Sequence, residues 1–533
     1  MSSKIRSPNS LVFAVRRAIP LGVFGLFSLA ASATTRASSG IDELINSAVQ
    51  PVTTFISNLI FFSVPVLGAD LPLVVVWLVL GAVFFTCYFG FVNVSGFSHA
   101  LKITRGDYAN AKADDSGEVT HFQALATAVS GTVGIGNIGG VAVAISMGGP
   151  GATFWMILAG LLGMSTKFVE CALGVLYRRE NPDGSVSGGP MYYLERGLAE
   201  RGLPRFGKAM GYFYAVGIVI GCMGIGNMFQ SNQAFVQIVN VTGGDHGSWF
   251  ADKGWLVGSL IAAVVAMVII GGIKSIARVT AKVVPFMVVF YCSSALIIIG
   301  MNFDALPFAF HAIIDGAFSA EGMSGGAIGV MIVGFQRAVF SNEAGIGSAA
   351  VAHSAVRTNE PMTEGFVALL EPFIDTVVIC TITALVIITT LYYEPGFTEG
   401  LDGIAMTSAA FERNISWSPY CIAVAGILFA FSTMIAWSYY GLKGWTYLVG
   451  EGLVAELGFK AVFCLFIVIG CSINLDAVLD FSDALVFVIC VPNILGLYIL
   501  APVLKKELKA YQARLASGEI VNYRKGAGDI PGN

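Results

Sequence analysis

Charge is scarce in this sequence. Only 12% of its 533 residues are Asp, Glu, Lys or Arg, about half the share of a soluble globular domain, so the chain cannot cover a water-facing surface of ordinary composition. Metal motifs are missing too. The nine cysteines fall mostly inside apolar runs, as at Cys87, Cys171, Cys292, Cys380 and Cys464, and no CxxC or Cys/His spacing occurs. They read as small buried hydrophobes. There is no basic patch for nucleic acid, no low-complexity tract and no soluble catalytic domain. No nucleophile lies paired with a base, which counts against an enzyme. The net charge of −4 carries little meaning, because distribution matters more than the sum.

What remains is apolar. The composition is 56% hydrophobic, and ten or more runs approach or exceed the roughly 18 residues of a membrane helix. The expectation is an all-α polytopic membrane protein with one large helical domain in the lipid bilayer. Residues 1–33 have the form of a signal peptide: Lys4, Arg6, Arg16 and Arg17, then the short apolar IPLGVFGLFSLA, then Ala31-Ser32-Ala33. Residues 34–70 then form an external segment, with an amphipathic helix from Ile41 to Ile60. Spans are predicted near 71–96, 124–147, 152–177, 209–241, 254–272, 281–301, 324–355, 364–393, 417–440, 458–474 and 483–504, about eleven in all. Loops at 302–323 and 394–416 have room for short surface helices.

With the mature N-terminus outside, these boundaries put 21 Lys and Arg on inside segments and 3 on outside ones, the bias of the positive-inside rule. Setting the first span aside leaves ten. They divide into 121–301 and 324–504, with 302–323 as an external loop, 505–533 as a cytoplasmic tail, and 34–120 holding the external segment, the extra helix and a linker. Five spans in each half make the second half start from the opposite side, which is the arithmetic of an inverted repeat.

Each half opens on a span broken by glycine. SGTVGIGNIGG at 130–140 interrupts the first, and SNEAGIGSAA at 341–350 the second. Glycine destabilises a helix interior by roughly 1 kcal/mol relative to alanine, and in hydrocarbon non-helical backbone survives only where it is packed in protein or lines a polar cavity. Paired breaks of this kind point to a transporter's substrate and ion site. Gly134-Ile135-Gly136-Asn137-Ile138-Gly139 also matches G-x-G-x-x-G, but a dinucleotide site needs a strand before it and a βαβ unit around it, and these flanks are membrane helix. The competing reading is close helix packing by small residues. Thr132 and Asn137 favour a broken helix, since they bring polar groups to the same place.

Gly224-Ile225-Gly226-Asn227 repeats the tetrapeptide, followed by Phe229, Gln230 and Gln233. A glutamine in hydrocarbon faces either a cavity or a helical neighbour. Lys167 and Glu170, Arg337 and Glu343, Glu371 and Asp375 are charges within spans; structural pairing or gating is the reading for all six, with Lys167 and Glu170 spaced i,i+3 for a pair on one helix face. His121 and His353 fall near span ends, in no metal cluster. Ser432, Thr433 and Trp437 share a later span, Thr433 and Trp437 on one face. Trp437 is either core packing or a wall that limits side-chain size.

At these residues the chain resembles the alanine or glycine:cation symporter family, the sodium:alanine symporters. Carrying the resemblance over roughly residues 70–505 are SGTVGIGNIGGVAVAISMGGPGATFWM, GGPMYYLERGL, GIGNMFQSNQ, FQRAVFSNEAGIGSAAVAHS, EPFIDTVVICTITALVI and FSTMIAWSYYG. It implies a leucine-transporter-type fold of five plus five helices with one extra N-terminal helix. It also implies sodium-coupled, or sometimes proton-coupled, uptake of alanine or glycine across a bacterial inner membrane, with no cofactor beyond the coupling ion. On this pattern the Gly136 amide meets the substrate carboxylate, with Gly134 beside it in the break. Asn137 and the Thr132 carbonyl hold one sodium. The Ser130 and Val133 carbonyls, with Ser432 and Thr433, hold a second. Ser341, Asn342 and Gly345 supply the opposite broken helix. Thr433 contacts either sodium or, like Trp437, the substrate. A proton-coupled carrier needs Glu170, Glu371 or Asp375 to titrate. The other rivals are a membrane enzyme or a binding protein that does not transport.

Overall fold

The computed structural model describes residues 54–55, 57–66, 69–108, 116–182, 184–319, 326–393, 403–472 and 476–523. The expected leader at 1–33 and most of the amphipathic helix at 41–60 lie outside them. Before the first break come α1 (Leu73–Tyr88) and the short α2 (Phe97–Thr104). The first broken span is α3 (His121–Thr132) with α4 (Gly139–Gly148), followed by α5 (Ala152–Leu176), α6 (Pro190–Glu200), α7 (Pro204–Val241), α8 (Gly254–Ile269) and α9 (Gly272–Met301). A short α10 (Leu306–Phe318) leads to the second broken span, α11 (Gly326–Asn342) with α12 (Ser348–His353). After it come α13 (Pro361–Tyr392), α14 (Gly403–Glu412), α15 (Ser418–Val449), α16 (Leu453–Ser472) and α17 (Asp476–Ser517).

Seven of the described helices are long and apolar enough to cross a membrane, and an eighth is α3 with α4, bent by 62° at the break. The expected eleven is reached only by adding α1 and α8, each 16 residues, and the pair α11 and α12. Local chemistry sets many of the ends. Thr120 caps α3 in a reciprocal capping box with Gln123, and proline opens α6, α7, α13 and α15, where its missing N–H costs nothing. The last helix continues to Ser517, into the stretch expected as tail.

Burial sorts the helices. In α15, 72% of the apolar window is buried, against 28% in α16 and 33% in α9, so α15 is a central column while α9 and α16 stand at the periphery. Met267, Ile270, Phe286, Val289, Leu296 and Ile297 are exposed on α8 and α9, a large apolar surface suited to lipid contact.

At one mouth the two halves are stitched together by backbone. Val119, just before α3, forms a parallel bridge with Val356, after α12, and the Arg357 N–H donates to the Val119 carbonyl at 2.8 Å. The Arg178 guanidinium gathers four carbonyls, those of Ser116, Ser354, Val356 and Thr358, at 2.6–3.0 Å. A Cβ on Gly117, whose φ is +130°, would lie 2.1 Å from the Val356 oxygen, so only glycine fits there. Beside this seam the buried Glu364 carboxylate takes one hydrogen bond from His121 and one from His353.

The expected Lys167–Glu170 pair does not form. Lys167 Nζ meets Glu371 Oε1 of α13 at 3.0 Å, with both side chains fully buried. Glu170 Oε1 accepts from Asn493 Nδ2 of α17 at 2.7 Å. An i,i+3 spacing permits a pair but does not compel one when neighbouring helices offer shorter partners.

Candidate substrate and ion site

The site is built on Asn137. The chain leaves α3 at Thr132, runs extended through Val133 and Gly134, makes a single 3-10 turn over Ile135–Asn137, and re-enters helix at Gly139. Every backbone group freed by this excursion needs a partner. Asn137 supplies one itself: its Oδ1 accepts from the Gly134 N–H at 2.8 Å. Its Nδ2 donates to Asp375 Oδ1 at 2.6 Å and lies 3.1 Å from Ser341 Oγ. Ser341 Oγ and Thr376 Oγ1 donate to Asp375 Oδ2 at 2.8 and 2.7 Å. Asn137 thus ties the first break to the second broken span and to α13. The freed Ile138 carbonyl accepts from Thr407 Oγ1 of α14 at 2.9 Å.

Gly134 is the point of closest approach. A Cβ there would lie 2.8 Å from Thr433 Oγ1 and 3.6 Å from Gln230 Oε1. Those two oxygens, on α15 and α7, are buried and have no hydrogen-bond partner among the described residues, although the Gln230 amide nitrogen donates to the Ile225 carbonyl. A Cβ on Gly136 would meet only Phe340, at 3.8 Å. Phe340 also meets Phe229 edge to face, centroids 6.5 Å apart. Trp437 lies one helical turn beyond Thr433, fully buried, and a Cβ on Gly226 would come within 2.4 Å of it. The repeated GIGN of α7 therefore sits in a π-turn, Gly224–Met228, whose glycine lets the indole pack on backbone, and Asn227 donates to the Phe463 carbonyl of α16 at 2.7 Å.

Other expected residues divide. Ser130 and Ser432 do come together: Ser130 Oγ donates to the Ser432 carbonyl at 2.6 Å, and Ser432 Oγ lies 3.5 Å from the Ser130 carbonyl. Val133, just beyond Ser130 in sequence, is buried, and Thr132 turns its hydroxyl back along α3 toward the Ala128 and Val129 carbonyls. Ser341 joins Asn137. Asn342 instead donates to Thr376 at 3.0 Å and accepts from the Ala344 N–H. Gly345, with φ +95°, packs toward Leu78 of α1, and its carbonyl accepts from Asn493. Both belong to the packing of the second break rather than to the Gly134 surroundings. Gln233 Nε2 lies 3.3 Å from Asn232 Oδ1, at the half-buried edge of α7.

Three contributors escape sequence reasoning. Phe340 directly precedes the SNEAG motif, but nothing in an apolar run marks one phenylalanine as the neighbour of Gly136. Thr407 comes from a loop expected to lie on the surface. The link from Trp437 Nε1 to Glu343 Oε1, at 3.1 Å, joins residues 94 positions apart.

Two broken helices from opposite halves of a membrane bundle, meeting at buried amides, carbonyls and a carboxylate, define a secondary transporter. A solved structure has the same fold: the crystal structure of MhsT in complex with L-phenylalanine aligns with a TM-score of 0.53 and 16% identity over 72% of this chain and 89% of that one. Residues 54–525 match the sodium:alanine symporter family, and the chain belongs to that family. It is 38% identical to the sodium/alanine symporter AgcS of Methanococcus maripaludis, covering 83% of this chain and 94% of the relative. It is 31% identical to the probable sodium/glutamine symporter GlnT of Bacillus subtilis, over 84% and 89%.

Proposed function

We propose that this transporter takes up alanine, glycine or both with sodium, by alternating access around the first break. One observation carries the reading: two buried oxygens, Thr433 Oγ1 and Gln230 Oε1, without a hydrogen-bond partner among the described residues, converge on the Gly134 backbone. Such oxygens are costly unless they meet a donor or a cation, and a small zwitterion with sodium offers both. On this reading Gln230 accepts from the ammonium group. The amides of the break around Gly136 face the carboxylate, and Phe229, Phe340 and Trp437 limit the side chain. Gln233 sits at the entrance. Asn137 and the Thr132 carbonyl serve a sodium near the substrate, while the Ser130 and Val133 carbonyls, Ser432 and Thr433 serve a second. Two repeats, 121–301 and 324–504, rock about this centre in a bacterial inner membrane, with the mature N-terminus periplasmic and the C-terminus cytoplasmic.

Asp375 lies at the same junction: its carboxylate is wholly buried and accepts from three neutral donors, so on this reading a nearby sodium offsets its charge. The test is uptake of labelled alanine and glycine into proteoliposomes with and without a sodium gradient. Sodium-dependent accumulation supports the reading, accumulation driven by a pH gradient alone replaces sodium with protons, and binding without accumulation removes transport. Ethylamine, which is alanine without its carboxylate, is expected not to compete; potent competition would end the assignment of the break to the carboxylate.

A further inference from the structure

We infer that Glu343 is a specificity-positioning residue: it fixes the ring of Trp437 and so sets the upper size of the side chain the pocket accepts. The inference rests on Trp437 being a pocket wall. Glu343 lies in the second break, immediately after α11, and holds a left-handed backbone at φ +57° that side chains other than glycine rarely adopt. Phe91 is the one other non-glycine residue with positive φ among the described residues. Such a conformation persists only where the surroundings hold it. The side chain shows what it is held for. Oε1 accepts from the Trp437 indole N–H at 3.1 Å, and Oε2 accepts from the hydroxyl of Ser348, the first residue of α12.

The indole is restrained on three sides. Its face presses on the backbone at Gly226, its edge meets Tyr440 with centroids 5.6 Å apart, and its N–H is held by Glu343. The first two contacts are apolar and carry no hydrogen-bond direction. The third does, because a buried indole N–H without a partner is unfavourable. A turn of the ring displaces the wall one helical turn from Thr433, whose hydroxyl meets the break. Glu343 therefore couples the second broken helix to the dimensions of a pocket that it does not itself line.

The experiment compares sodium-driven uptake of alanine and leucine in proteoliposomes by wild type, Glu343→Ala, Glu343→Gln, Ser348→Ala, Trp437→Phe and Trp437→Ala. In Glu343→Ala the ratio of half-saturating leucine to half-saturating alanine is expected to fall about tenfold, the scale at which a pocket resolves a methylene. Glu343→Gln keeps an acceptor for the indole N–H and should hold the ratio within about threefold of wild type. Trp437→Phe lowers the ratio by shortening the wall and removes the indole N–H, so adding Glu343→Ala to Trp437→Phe should lower it no further. A well-inserted Glu343→Ala with an unchanged ratio, or with both half-saturation values moved by one factor, overturns the inference. If Glu343→Ala fails to insert, Ser348→Ala decides: a ratio lowered about threefold supports positioning, and an unchanged ratio overturns it. If Trp437→Ala also leaves the ratio untouched, Trp437 is not a wall and the pocket assignment itself falls.

Discussion

Two glycines two residues apart face different space. A methyl group at Gly134 collides with Thr433 Oγ1 at 2.8 Å, whereas at Gly136 it finds only Phe340 at 3.8 Å. Gly134→Ala is therefore expected to lower both thermal stability and uptake, by about 1–3 kcal/mol in the unfolding free energy. Gly136→Ala should insert and melt like wild type yet bind alanine at least about tenfold more weakly, measured by melting and ligand binding in detergent. Equal melting points with equal affinities would remove the break from substrate binding. Asp375 makes a second distinction. Asp375→Asn keeps the size of the side chain and removes its charge, so half-saturating sodium is expected to rise at least about tenfold while the alanine affinity at saturating sodium changes little. Sodium titration of uptake checks this.

Elements carry what single residues cannot. The first break was legible in sequence because glycines and small polar residues stand out inside an apolar run, and Asn137 falls where that reasoning put it. The second was legible as a break, but the faces of its residues were not. Asn342 donates to Thr376 of α13, and the Gly345 carbonyl accepts from Asn493 of α17, contacts that depend on which helices pack there. The same limit explains α5. Spacing offered Lys167 a partner on its own helix, and packing gave it Glu371 on α13. Breaking a buried pair from one side leaves a bare charge, so Lys167→Met is expected to cost about 3–5 kcal/mol, and Lys167→Met with Glu371→Met distinctly less. Melting of the two variants measures the difference; a double variant no more stable than the single would mean that Lys167 acts mainly by packing.

On the scale of the whole molecule, helical content, the long apolar spans and the extra helix before the first break all followed from hydropathy and glycine placement. The count of spans is less sharp, because α1, α8 and the α11–α12 pair are too short or too broken for a length criterion. The Lys and Arg bias predicts a C-terminus on the inside, so an alkaline phosphatase fused after Asn533 should be inactive and a cytoplasmic reporter active. The reverse pattern would invert the proposed direction of uptake.

The seam at the His121 mouth has a consequence for how that side opens. Four carbonyls from two loops share one guanidinium, and withdrawing either loop strands donors that the other loop cannot satisfy. Under the proposed alternating access, partial separation is the worst arrangement, and the seam is expected to behave as a latch with two settings and no slack between them. Paired fluorophores at exposed sites flanking Gly117 and Arg357 should report two distance populations exchanging abruptly during transport. Arg178→Lys has no planar fork to span the four acceptors, and is expected to merge those populations into one broad distribution and to let substrate leak down its gradient without sodium.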